Sequence, residues 1–499
     1  MTPQRNRRIL LTLLSFASLN AVAAVLGLIP NLTPFRDNTG AVATYNTAGA
    51  ISEQNPFFQS LGTNGRTCAT CHQADQAFGL SAAGARLVYA RTHGTDPLFA
   101  SFDGANCPTD TSTDPSAHSL LLNNGLIRIG ITPPSSMQFT ISVVHDPYGC
   151  AITYDPNTGA QIISLYRRPL PSTNLRFLTT VMFDGRETLK PLNSATTLDA
   201  NLAYDLTDQA TSAVLTHAQG TSAPTAQQLA EIVQFETGLS TAQTRDNIAG
   251  SLSSYSATGG PSTLSALNAA PGINDPLGGT PIGVNFNENA FSLYTAWENI
   301  PAPTHFPWVP LTPNQSSDEM KREIAAGEKI FNTQPVIITG VRGLNDNATL
   351  GSPASITGTC TTCHNTPNVG NHSVALPLDI GTSRQAGYET NPAIIAALQQ
   401  LSAPDLPIYE IRGCPDPQNP GSTVTFYTSD PGKGLITGLC SDVNRGKGPI
   451  LRGLAARAPY FHNGAAANLQ ELVSFYNQRF QMNLTAEQQR DLIAFLNSL

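Results

Sequence analysis

Two Cys-x-x-Cys-His motifs constrain this chain more than any other feature: Cys68-Ala69-Thr70-Cys71-His72 and Cys360-Thr361-Thr362-Cys363-His364. On a helical turn the two sulfurs lie on one side, within reach of the two vinyl groups of a haem. The adjacent histidine then points its imidazole at the iron as proximal ligand. A structural zinc ion wants four ligands, and no second Cys/His pair lies at finger-like spacing around either motif. A thioredoxin-type redox pair is the remaining alternative, and a repeated motif behind an export signal counts against it. The motifs therefore predict two covalently attached c-type haems. Cys68, Cys71 and His72 would hold one, and Cys360, Cys363 and His364 the other.

The other four of the eight cysteines are Cys107, Cys150, Cys414 and Cys440. Their fate depends on compartment. Arg5, Arg7 and Arg8 precede an apolar run from Ile9 to Ile29, with Ala21-Val22-Ala23 as a small-residue cleavage site. That is the pattern of a secretory signal, so residues 1–29 read as a signal peptide. An uncleaved anchor is the competing reading, because about 20 apolar residues can just span a membrane. Only then would the protein be membrane-bound; in both cases its body lies in the periplasm. There the four cysteines should pair. The simplest pairing is Cys107 with Cys150 and Cys414 with Cys440, with cross-domain pairing left open. A formal net charge of −8 argues against nucleic-acid partners, because phosphate affinity needs a cationic face.

With 40 glycines and 37 prolines in 499 residues, the chain reads as loop-rich, with two domains the natural prior. The expected fold is mainly α: two c-type cytochrome domains with loop-rich insertions. Residues 30–250 would form the first, interrupted by an insertion at 75–165 in which Phe139–Val144 reads as a β-branched strand. Residues 251–315, rich in Gly, Pro, Ser and Asn, read as an interdomain linker. Residues 316–499 would form the second. Capping boxes start helices at Thr225 with Gln228, at Ser316 with Glu319 and at Thr485 with Gln488. Leu469, Leu472, Val473 and Tyr476 share one helix face.

A stretch from Lys447 to Tyr476, containing Lys447-Gly-Pro-Ile-Leu-Arg452 and Pro459-Tyr-Phe-His-Asn-Gly464, resembles the C-terminal signature of di-haem cytochrome c peroxidases. Phe183-Asp-Gly-Arg186 is similar to that family's aromatic-Asp-Gly-Arg element. Asp205-Leu-Thr-Asp-Gln-Ala210 is similar to the element carrying its distal glutamine. The resemblance covers both lobes in order; the insertions at 75–165 and 405–440 have no counterpart in it. It implies a peroxidatic haem on His72 and an electron-transfer haem on His364, with Gln209 over the distal face of the first. The family's acid-base glutamate falls at Gln219, and His217 is the nearest substitute base or distal ligand; a polar residue at a helix end is its bland reading.

The family's methionine ligand of the second iron falls at Tyr476, which either ligates iron, as in MauG-like enzymes, or packs on its helix face. Met482 is the one methionine near an axial position. Phe183 takes the place of the tryptophan between the haems, and His462 would sit behind a haem propionate. Trp297 and Trp308 fall in the linker. A calcium ion between the lobes is compatible with the resemblance, although Arg457 stands where its carbonyl ligands would come from.

The function expected is an exported peroxidase that reduces hydrogen peroxide at the His72 haem, with electrons from a small donor protein, a cytochrome c or cupredoxin. The alternatives are a MauG-like oxidase acting on a protein or small molecule, and a non-catalytic di-haem electron carrier.

Overall fold

The computed structural model describes residues 27–277, 285–304, 308–416 and 421–499. The expected cleavage site lies outside the described residues. In the first half, the helix Leu198–Thr216 buries Leu198, Leu202, Leu206, Ala210 and Val214 at four-residue intervals, which makes one apolar stripe. It packs beside the helix Ala226–Gly238, which starts at the expected capping box: Thr225 Oγ1 accepts from the Gln228 amide.

In the second half the long helix is Pro313–Thr333, one turn earlier than its sequence reading. The reason is local. Thr312 caps it with Gln315, and Pro313 at the first helical position has its φ pre-set for the helix. This helix lies against the C-terminal helix Ala486–Asn497. At Gly327 an added Cβ would sit 2.0 Å from the Asp491 carbonyl oxygen, so only glycine permits the approach. Phe291, Phe331 and Phe495 pack edge to face at this junction. The 251–315 stretch is partly built into this core. Trp297 is fully buried, donating to the Ser254 carbonyl at 2.9 Å, whereas Trp308 is exposed.

The mainly-α expectation is corrected by the strand content: 32% helix and 16% strand, the latter in five antiparallel sheets, make an α/β mixed fold. Two causes account for the difference. The lead-in before the first motif contains the strand Gly40–Asn46, which pairs with Leu239–Asp246 in a four-stranded sheet. The insertions also fold as sheets, because their apolar residues are β-branched and alternate. Thr140–His145 of the first insertion pairs with Ile408–Pro415 of the second, with Ile141 opposite Ile411. The two insertions thus share one sheet and a small core of Phe139, Ile411, Cys414, Cys440 and Val443. Both simplest cysteine pairs stand at disulfide distance, with Cα–Cα separations of 5.8 Å for Cys107 and Cys150 and 5.3 Å for Cys414 and Cys440. Among the described residues no helix is long and apolar enough to cross a membrane.

Candidate active site

Each Cys-x-x-Cys-His motif forms a tight turn with a threonine at its start. In the first, Thr67 caps Cys68–Thr70, and the His72 amide donates to the Cys68 carbonyl at 3.0 Å. His72 Nδ1 lies 3.2 Å from the Phe78 carbonyl, which leaves Nε2 as the free nitrogen. Burial pulls His72 down to about 4, so it is neutral, the form that ligates metals. Phe57, Phe78 and Phe235 form an aromatic cluster at its back.

In front of this turn is a cavity with about 1580 Å³ of empty space, some of it open solvent. Cys68, Cys71 and His72 line it, and so do Gln209 and His217. The periodicity of the helix explains the pairing: Leu206, Gln209, Ala213 and His217 follow one another on its cavity face. Gln219 is exposed, at a left-handed φ of 53°, and is not among the cavity-lining residues.

Six cations line the same cavity, and three of them, Arg168, Arg457 and Lys447, have no carboxylate partner among the described residues. Arg168 Nε has no partner, and burial first, then the Arg457 charge, pull its guanidinium down to about 9. Burial brings Arg457 to about 10 and Lys447 to about 8. An uncompensated buried cation costs several kcal/mol, so this cavity fits a ligand bearing carboxylates. Haem, with two propionates, meets that requirement as well as the cysteine spacing. Glu236, 4% exposed with Oε2 unpartnered, also lines it; burial lifts its carboxyl to about 7.

The second motif repeats the turn: Thr359 caps Cys360–Thr362, and His364 Nδ1 lies 2.8 Å from the Gly370 carbonyl. Its surroundings are apolar, with Phe331 at 5.9 Å from the imidazole. Tyr476 packs in the core that holds Cys360 and Cys363. Burial, then the two nearby cysteines, push its phenol well above the ordinary range. Its ring also stacks on Phe480 at 5.8 Å and meets Phe475 edge-on, so ligand and packing residue are roles it can fill together. Met482 is 2% exposed in the same core. Arg452 is buried with all three guanidinium nitrogens unpartnered.

On the wall of the first cavity Phe183 stacks on His462 at 4.3 Å with Arg167 over its ring, and Gly446 leaves room for it. His462 meets Ser383 Oγ at 3.1 Å and Asp430 at 3.6 Å. His118 is bound between two backbone carbonyls and His145 pairs with Asp405 on the surface. Among the described residues no group of three or more His, Cys, Asp or Glu side chains could hold a metal ion. Arg457 donates to the Gly453, Ile450 and Arg452 carbonyls, occupying the region suggested for calcium. Sequence reasoning missed Asp103, Arg66, Arg168, Arg452 and Glu236; none stands in a motif whose spacing marks it as a site residue.

Over 151 residues, 28% of the chain, the sequence is 29% identical to Cytochrome-c peroxidase IdrP2 of Denitromonas iodatirespirans. Over 154 residues, again 28% of the chain, it is 27% identical to Cytochrome-c peroxidase IdrP1 of Pseudomonas sp. (strain SCT). The matches span about a third of each relative's length, 36% in both cases. No family model matches the chain. No solved structure matches it. The likeness reaches a cytochrome c peroxidase-like family at the level of distant relatives.

Proposed function

We propose that this chain is a periplasmic di-haem c-type peroxidase, reducing hydrogen peroxide beside His72 with electrons passed through a second haem on Cys360, Cys363 and His364. The observation that carries the reading is the shared cavity, in which His72, both cysteines, Gln209 and His217 line one space. The names of the two relatives support the same reaction class. When bound, haem c supplies a redox-active iron that accepts peroxide and relays electrons. The chain's own residues supply the rest. The Phe78 carbonyl accepts a hydrogen bond from His72 Nδ1–H, which leaves Nε2 as the ligating atom. Gln209 donates a hydrogen bond to bound peroxide and orients it.

His217 takes the proton from one peroxide oxygen and gives it to the other, which leaves as water. In sum, one hydrogen peroxide, two electrons and two protons yield two waters. Arg168, Arg457 and Lys447, which line the cavity, would hold the propionates. The electrons come from a small reduced donor protein, a cytochrome c or cupredoxin.

A MauG-like oxidase is the second reading, favoured by Tyr476 beside Cys360 and Cys363. The test is mass spectrometry of the mature protein followed by peroxide consumption with a reduced small cytochrome as donor. Two haems and donor-dependent turnover support the peroxidase. Two haems with peroxide reactivity but no donor turnover move the assignment to the oxidase. Two haems inert to peroxide would leave an electron carrier and sink both enzyme readings.

A further inference from the structure

We propose that Asp103, which belongs to the insertion after the first motif, is the positioning residue for His217, so that the insertion completes the proton-handling pair of the first cavity. The inference rests on the peroxidase reading above. Asp103 lies in the short helix Ser101–Gly104 and is 2% exposed. Its Oδ2 is 2.6 Å from His217 Nδ1. Its Oδ1 is held by Arg66, itself 3% exposed and standing two residues before Cys68.

Arg66 is fixed in turn. Its Nε donates to the Pro97 carbonyl at 2.7 Å, its Nη2 to the Leu98 carbonyl at 3.1 Å and its Nη1 to the His217 carbonyl at 3.3 Å. Asn64 Nδ2 donates to that last carbonyl at 2.8 Å. The carboxylate and the backbone of His217 are thus both clamped by the strand of chain that leads into the first motif.

The chemical consequence is a fixed tautomer. A carboxylate has no proton to give, so Nδ1 must be the donor in the 2.6 Å contact. Nε2 then carries the lone pair, and it is the nitrogen left for the cavity that His217 lines. A negative partner behind an imidazole also stabilises the imidazolium formed when Nε2 accepts a proton, the logic of a histidine–aspartate pair. Burial opposes charge on Asp103, but the His217 hydrogen bond and Arg66 outweigh it and hold the carboxyl below its ordinary range. The rival account is that Asp103 is only the counterion of a buried arginine, with His217 an incidental neighbour.

Cyanide separates these accounts, because hydrogen cyanide, like hydrogen peroxide, must hand a proton to a base as it binds ferric haem. The readout is the rate of the absorbance change on adding cyanide to the haem-loaded protein, in the redox state that takes up exogenous ligands. Asp103→Asn and His217→Gln should each slow binding roughly 10- to 100-fold, the range for a residue that orients a ligand or base. The double variant should be no slower than the worse single one, and Asp103→Glu should recover part of the rate. A wild-type rate in Asp103→Asn with a slow His217→Gln overturns the pairing and leaves the peroxidase reading standing. A wild-type rate in His217→Gln overturns both the pairing and the base. Should Asp103→Asn fail to take up haem, the wild-type proton NMR spectrum decides. A strongly downfield, exchange-protected imidazole proton lost in His217→Gln supports the pair, and its absence from the wild type overturns it.

Discussion

In both Cys-x-x-Cys-His turns the histidine amide donates to the first cysteine's carbonyl at 3.0 Å. In both, Nδ1 meets a carbonyl six residues on, at 3.2 Å in the first and 2.8 Å in the second. Beyond that the two regions part. The first turn faces an open cavity with an amide, an imidazole, a carboxyl and three unpaired cations on its walls. The second is packed into an aromatic and aliphatic core with Tyr476 and Met482. On the di-haem reading, each motif would specify attachment and a proximal ligand, and the surroundings would decide what the attached group can do. An open polar side suits a small reactant; a closed apolar side suits electron transfer with little reorganisation.

Replacing the cysteines should break this comparison most severely. Cys68→Ala with Cys71→Ala should leave one covalent haem and abolish peroxide turnover. Cys360→Ala with Cys363→Ala should also leave one haem, while keeping peroxide binding and losing donor-driven turnover. Mass spectrometry and stopped-flow spectroscopy distinguish the two; equal loss of peroxide binding in both would erase the division of labour. Next in size is His217→Gln, expected to lower kcat/KM for peroxide by about 10²- to 10⁴-fold, the usual worth of a general acid-base group. The measurement is steady-state kinetics across pH, and a loss below tenfold would remove His217 from the chemistry.

Glu236 marks the first region in a pH titration. Its folded-state value of about 7 lies above the ordinary 4.5, so the folded protein binds the proton more tightly than the unfolded chain. The associated stability is full below 4.5 and is lost as pH rises through about 7. Glu236→Gln should flatten that fall, which is worth roughly 3 kcal/mol at most, in denaturant unfolding at a series of pH values. An unchanged slope would mean the carboxyl has a partner. The smallest energetic effect is expected of Tyr476→Phe, which keeps the ring and its packing on Phe480 and Phe475. Unfolding should shift by no more than about 1 kcal/mol, while the second haem's absorption changes if the phenol oxygen ligates. An unaltered spectrum would make Tyr476 a packing residue only.

Much of this was legible in the sequence wherever the signal is local. The capping boxes at Thr225 and Thr485 and the helix face with Tyr476 each depend on residues a few positions apart. Those features stand in the structure as read. The start of Pro313–Thr333 was misplaced because two consecutive Ser/Thr–Gln/Glu patterns compete, and the proline settles the choice. Of the strands, the one expected at Phe139–Val144 was legible and stands as Thr140–His145; the sheet it joins was not. Thr140–His145 becomes part of a sheet only by pairing with Ile408–Pro415, more than 260 residues away along the chain. The contact of Asp103 with His217 spans 114 residues, and no spacing rule connects an aspartate in an insertion to a histidine at a helix end. Arg168 and Arg452 read as ordinary charges until their burial without a carboxylate counterion is seen.

The most direct test of the central claim is an optical titration of the haem-loaded protein with one equivalent of hydrogen peroxide, first diferric and then half-reduced. The account predicts a rapid change of the haem absorption in at least one of these states, slowed by His217→Gln and untouched by Tyr476→Phe at the first haem. No reaction in either state would contradict it, and the open cavity beside His72 would then need another explanation.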